Sequence, residues 1–172
     1  MPLAVTLRLD SVSADDVRRL LATLAAQGIA DDVLRLDYAP HVTLAVVPDA
    51  IGAAALQAAV AGLAIPALAV EIPGFGVFAG PPAVLWLAPV ATAALLHWQA
   101  ALVAGLGAVD PHYRPGSWVP HVTLAQALPG LAAAGTALAA LAACWRPING
   151  WLDRIEVLRF RPVEVLSSRE LG

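Results

Sequence analysis

The chain has 172 residues, enough for one ordinary domain with a real core, and it is 59% hydrophobic and only 13% charged. Its formal net charge is −3, all ten basic residues are arginine, and none lies between Arg35 and Arg114. No basic stripe is visible, which argues against a protein that grips a long nucleic-acid track by neutralising many phosphates.

Residues 3–9 alternate and stop at Asp10-Ser11, which predicts a first strand. Ser13 reads as the N-cap of a helix, with Asp15 and Asp16 in its first turn and Val17, Leu20, Leu21 and Leu24 at helical spacing up to Gly28. A short extended piece is expected near Val33–Leu36, then a strand over 41–47. Pro48-Asp49 opens a second helix through about Gly62. Residues 67–72 and 75–79 read as extended, with Gly80-Pro81-Pro82 turning into a partner strand at Ala83–Leu87. A third helix follows from about Ala91 to Leu106, and its His97 reads as structural or surface-exposed. Residues 107–120 form a loop rich in Gly, Pro and aromatics, leading to a strand over 121–126. A fourth helix near 131–144 is ended by Pro147, and the tail over 151–168 reads as two strands broken near Pro162.

Mean hydropathy is +0.74, and residues 50–70 carry almost no polar side chain. That stretch is mostly Ala and Gly, contains Pro66 and has no flanking arginine anchors, so packed helices are expected and no membrane span. The lone Cys144 excludes an internal disulfide, suits a reducing cytoplasm, and is expected to be a buried small hydrophobe. The N-terminal residues lack a charged region followed by an apolar run, so a cytoplasmic protein is expected.

One phrase occurs twice. Pro40-His41-Val42-Thr43-Leu44-Ala45 returns letter for letter as Pro120-His121-Val122-Thr123-Leu124-Ala125. In a strand, residues two apart share a face, so His41 and Thr43 point one way while Val42 and Leu44 enter a core; the second copy divides identically. Each half of the chain holds one phrase, which suggests an α+β fold of two duplicated sheet-and-helix units, pseudo-two-fold and bilobal, within a single domain over 1–172. Such symmetry brings the two phrases side by side in one central cleft. A single buried histidine is usually a satisfied core group, but a core has no need of the same polar pair twice.

Two facing imidazoles can act as general base and general acid in one step, because the ordinary histidine pKa of about 6.5 lies near working pH. Two threonine hydroxyls beside them can donate hydrogen bonds to anionic oxygens. The set suits in-line displacement at a phosphodiester. A metal site built on His41 and His121 lacks nearby ligands, Asp37 being the nearest acidic candidate.

Two H-x-T motifs, each followed by an apolar residue and about eighty residues apart in a small chain, resemble the 2H phosphoesterase superfamily, and within it the 2′-5′ RNA ligase/cyclic nucleotide phosphodiesterase group. The similarity takes in Phe75-Gly76-Val77-Phe78 and Val84-Leu85-Trp86-Leu87 as well. The resemblance implies a two-lobed fold with the four motif residues in its cleft, no metal and no cofactor. It implies a phosphoesterase that opens 2′,3′-cyclic phosphates of nucleotides or RNA ends to 2′-phosphates, with 2′-5′ ligation or non-catalytic binding of nucleotides or RNA ends as alternatives. By it, His41 and His121 are the acid/base pair, in either assignment, and Thr43 and Thr123 bind the phosphate. Many relatives carry an arginine soon after the second motif, where this chain has Gln126. Arg114, in the loop before His121, is the candidate replacement cation. Trp118 and Tyr113 are candidates to stack on a base, with Phe78 an alternative, while Trp86 is expected in the core. The expected partner is a nucleotide 2′,3′-cyclic phosphate or an RNA terminus, taken by a monomer.

Overall fold

The computed structural model describes residues 1–160 and 162–172. Eight strands and four helices alternate among them: β1 (Leu3–Leu9), α1 (Ser11–Ala26), β2 (His41–Val47), α2 (Ala53–Ala61), β3 (Leu68–Ile72), β4 (Gly74–Phe78), β5 (Ala83–Ala88), α3 (Ala93–Ala104), β6 (Val122–Leu128), α4 (Leu131–Leu141), β7 (Ile148–Arg159) and β8 (Glu164–Glu170). The strands form two antiparallel sheets, the mixed α/β architecture that the doubled phrase predicts. In the larger sheet the order is β2-β1-β7, and the far edge of β7 is shared by β3 and β8. The smaller sheet runs β4-β5-β6.

Each phrase-strand is an edge strand of its own sheet, and β2 and β6 lie against each other. The two units do not coincide with the two halves of the chain. The tail is integral to the fold: its first strand, β7, pairs with β1 along the whole length of β1 and sits at the centre of the larger sheet. The chain passes between sheets at Pro73, so β3 pairs with β7 while β4 pairs with β5.

Helix α1 packs on β7 and β1 and meets α4, which lies on β5 and β6; α3 rests on β2. Leu3, Leu7, Val42, Leu44, Leu85, Leu87 and Leu124 are essentially fully buried. Each such side chain stabilises the fold by roughly 1.5–3 kcal/mol. Among the described residues no helix is long and apolar enough to cross a membrane.

Four local expectations are corrected. The α1 cap is Asp10, not Ser13: its Oδ1 accepts from the backbone N–H of Val12 (2.9 Å) and Ser13 (3.1 Å). A carboxylate has a second oxygen, and here it accepts from the Ser13 hydroxyl and from Trp151 N–H at 2.7 Å, so one residue caps the helix and ties it to β7. Residues 34–36 form a 3₁₀ turn instead of an extended piece, and Asp37 closes it in the left-handed region (φ 49°). The second helix is split, because Gly52 at φ 79° ends a short 3₁₀ turn before α2 begins. Cys144 is exposed, since α4 ends at Leu141 and carries the cysteine beyond the core.

Candidate active site

The two phrases fold alike. In each, the His and Thr are half-buried while Val, Leu and Ala are buried, so the period-2 division of faces holds in both copies. In each, the imidazole Nδ1 meets the carbonyl of the residue two positions earlier, Ala39 at 2.8 Å for His41 and Val119 at 2.7 Å for His121. A carbonyl can only accept, so Nδ1 carries the proton and Nε2 keeps its lone pair. The intervening proline fixes its own φ and helps hold that carbonyl against the ring.

His41, Thr43, His121 and Thr123 line a single cavity of about 640 Å³, together with Tyr38, Tyr113, Trp118 and Gln126. Burial pushes His41 down to about 4; protonation of His121 and the charge of Arg8 add to this, while the Ala39 carbonyl and Glu156 oppose it. Burial lowers His121 as well. Both rings are therefore held neutral near pH 7, each able to accept a proton at Nε2. An anionic substrate would favour the protonated form of either one.

The walls are aromatic. The Tyr38 ring lies 4.8 Å from His41, Phe78 stands edge-on to His121 at 5.1 Å, and Trp86 lies 5.9 Å from His121. Trp86 is half-buried and not a core residue: it lies behind the cavity lining, where it stacks on Phe78 at 4.9 Å and covers Gly76, its cross-strand partner.

The loop over 107–120 closes the outer edge of β2. Asp110 N–H donates to Val46 O, and Trp118 Nε1–H donates to Thr43 O at 3.0 Å. The buried Gln99 of α3 donates from Nε2 to both Leu44 O (3.2 Å) and Tyr113 O (2.6 Å). Tyr113 is hydrogen-bonded to the Thr43 side chain, and burial raises its phenol to about 12. Trp118 is 8% exposed, so its indole is chiefly a wedge that fastens the loop to β2, with one edge on the cavity.

Arg114 is exposed and lies outside the cavity lining, its carbonyl taken by Ser117 and Trp118 N–H groups. No arginine lines the cavity among the described residues. Gln126 does line it, and its backbone N–H donates to Asp32 Oδ2 at 2.8 Å. Among the described residues no group of three or more His, Cys, Asp or Glu is gathered that could hold a metal.

The sequence reading missed Tyr38, Thr6, Glu156 and Gln99. A signal existed for part of this set: Thr6 and Arg8 are the polar residues of the otherwise apolar β1, two apart, and Glu156 follows Arg154 at the same spacing, the pattern that puts each pair on one face.

The structure resembles a crystallised phosphoesterase at 16% identity and TM-score 0.65, covering 99% of this chain and 97% of that one. It also resembles Escherichia coli LigT, solved with 3′-AMP (16% identity, TM-score 0.62, 99% and 96% covered) and with phosphate (15% identity, TM-score 0.64, 99% and 96% covered). No curated protein is significantly similar in sequence. At these identities the solved structures establish the fold. Residues 10–164 match the 2′-5′ RNA ligase superfamily, and with nearly the whole chain covered, the protein belongs to that family.

Proposed function

We propose that this protein is a phosphoesterase that opens 2′,3′-cyclic phosphates of small nucleotides or RNA ends to 2′-phosphates by paired-histidine acid/base catalysis without a metal. The observation that carries the reading is the matched pair of imidazoles, each tied by Nδ1 to a carbonyl two residues back, on one cavity. One Nε2 takes a proton from water as the new P–O bond forms. The P–O3′ bond breaks, and the other imidazole, protonated, delivers its proton to the departing O3′. Thr43 and Thr123 hold the non-bridging oxygens. With a ribose 5′-hydroxyl in place of water as the nucleophile, the same displacement forms a P–O5′ bond as P–O3′ breaks, which would give 2′-5′ ligation. Each proton transfer is typically worth about 10²–10⁴ in rate. E. coli LigT, of the same fold, was crystallised with 3′-AMP and with phosphate, which supports a nucleotide ligand here.

The test is hydrolysis of 2′,3′-cyclic nucleotides in the presence of a chelator. Activity should survive chelation and be lost in both His41→Ala and His121→Ala; undiminished activity in either variant would sink the reading. A second reading, a nucleotide- or RNA-end-binding module, is favoured by the lack of arginine in the described cavity lining. Tight binding without turnover at any pH would decide for it.

A further inference from the structure

Strand register places a second polar constellation beside the first. Thr43, Thr6, Glu156 and Ser168 form one row across β2, β1, β7 and β8, and His41, Arg8, Arg154 and Glu170 form the next row on the same face. Glu156 is only 2% exposed, and a buried carboxylate persists only when its oxygens are satisfied. Its Oε1 accepts from Arg8 Nη1 (3.2 Å) and Ser168 Oγ (2.8 Å), and its Oε2 accepts from the Tyr38 hydroxyl at 2.6 Å. With its O–H donated to Glu156, the Tyr38 oxygen accepts the hydrogen bond from Thr6 Oγ1–H at 2.8 Å. Tyr38 itself sits on irregular backbone between the 34–36 turn and β2, so the phenol is pinned by the sheet and not by its own segment.

The pinned ring lies against His41, 4.8 Å between centroids and tilted by 58°. Among the described residues His121 has no such support: its aromatic neighbours, Phe78 and Trp86, make no hydrogen bond to a buried charge. Among the described residues, Glu156 from β7, Arg8 from β1 and His121 beside β6 are the ionisable groups that act on His41.

We propose that Tyr38 is the positioning residue of His41: clamped by Glu156 and Thr6, it holds the imidazole at the angle that proton transfer to or from a substrate requires. The clamp itself stands on geometry alone, while its consequence for turnover rests on the phosphoesterase reading.

The experiment is Tyr38→Phe in the full-length protein, which keeps the ring and removes the clamp, read by turnover of 2′,3′-cyclic AMP and by NMR of ¹⁵N-labelled histidines. A misplaced proton-transfer group costs about ten- to a hundredfold in kcat, with KM within about twofold. The side-chain resonances of His41 should move or broaden while those of His121 stay. Glu156→Gln removes a negative charge and leaves Arg8 unpaired; both changes should lower the His41 titration midpoint and spare that of His121. Unchanged His41 resonances and kcat in Tyr38→Phe would overturn the proposal. Wild-type protein that turns over no cyclic phosphate would refute the phosphoesterase reading alone, since the NMR comparison still reads the clamp. If Tyr38→Phe does not fold, Thr6→Val removes the hydroxyl's other partner at nearly equal volume and is judged by the same His41 and His121 resonances.

Discussion

Gly76 and Gly74 lie two residues apart on β4, and the structure predicts opposite outcomes for the same substitution. A Cβ built on Gly76 would lie less than 3.0 Å from three atoms of the Trp86 ring, closer than real Cβ contacts come. The indole cannot simply withdraw, because it is stacked on Phe78 at 4.9 Å and abuts His121 at 5.9 Å. Overpacking of this kind costs about 1–3 kcal/mol. At this chain length each kcal/mol lowers Tm by about 2–4 °C. A Cβ on Gly74 would meet nothing within 4 Å, and its φ is not in the left-handed region. Gly74→Ala should therefore be neutral, or stabilising by up to about 1 kcal/mol through a less flexible unfolded chain. Urea and thermal unfolding of both variants against wild type supply the measurement. In addition, Gly76→Ala should lower turnover by displacing the wall beside His121, whereas Gly74→Ala should not. Equal stabilities for the two variants would refute the packing argument.

Acid should destabilise the protein before its carboxylates titrate. His41 is held down to about 4 in the fold but titrates near 6.5 when unfolded, so its contribution is fully present above 6.5 and is lost as pH falls toward 4. The corresponding loss is at most about 3 kcal/mol. Urea unfolding at pH 7 and pH 4.5 should show a smaller drop for His41→Asn than for wild type; equal drops would contradict the assignment. Gln99→Met keeps the volume but leaves the Leu44 and Tyr113 carbonyls without their donor, at a cost of about 1–3 kcal/mol per buried unsatisfied group. Hydrogen exchange should show faster opening of the 107–120 loop in that variant, and an unchanged loop would mean that the Trp118 and Asp110 bonds to β2 suffice to fasten it.

Several features were legible from consecutive residues. The doubled phrase declared two strands with His and Thr on one face, because alternation is a local property of extended chain. The alanine-rich helices were also visible, with ends displaced by a few residues where Gly52 or the last turn of α4 intervened. Trp118 illustrates the limit: as a loop aromatic it looked available to a base, and only the folded loop shows its N–H spent on Thr43 O. Arg114 illustrates it too, since nearness to His121 in sequence did not bring it to the cavity.

What the sequence determined by itself was therefore the pair of acid/base candidates, their faces and the fold class. Tertiary structure alone decided what surrounds them. Glu156 and Tyr38 are 118 residues apart, yet they meet because β7 returns to the centre of the first sheet. Alternation is written in neighbouring residues, whereas register between distant strands emerges only when their buried faces find one another.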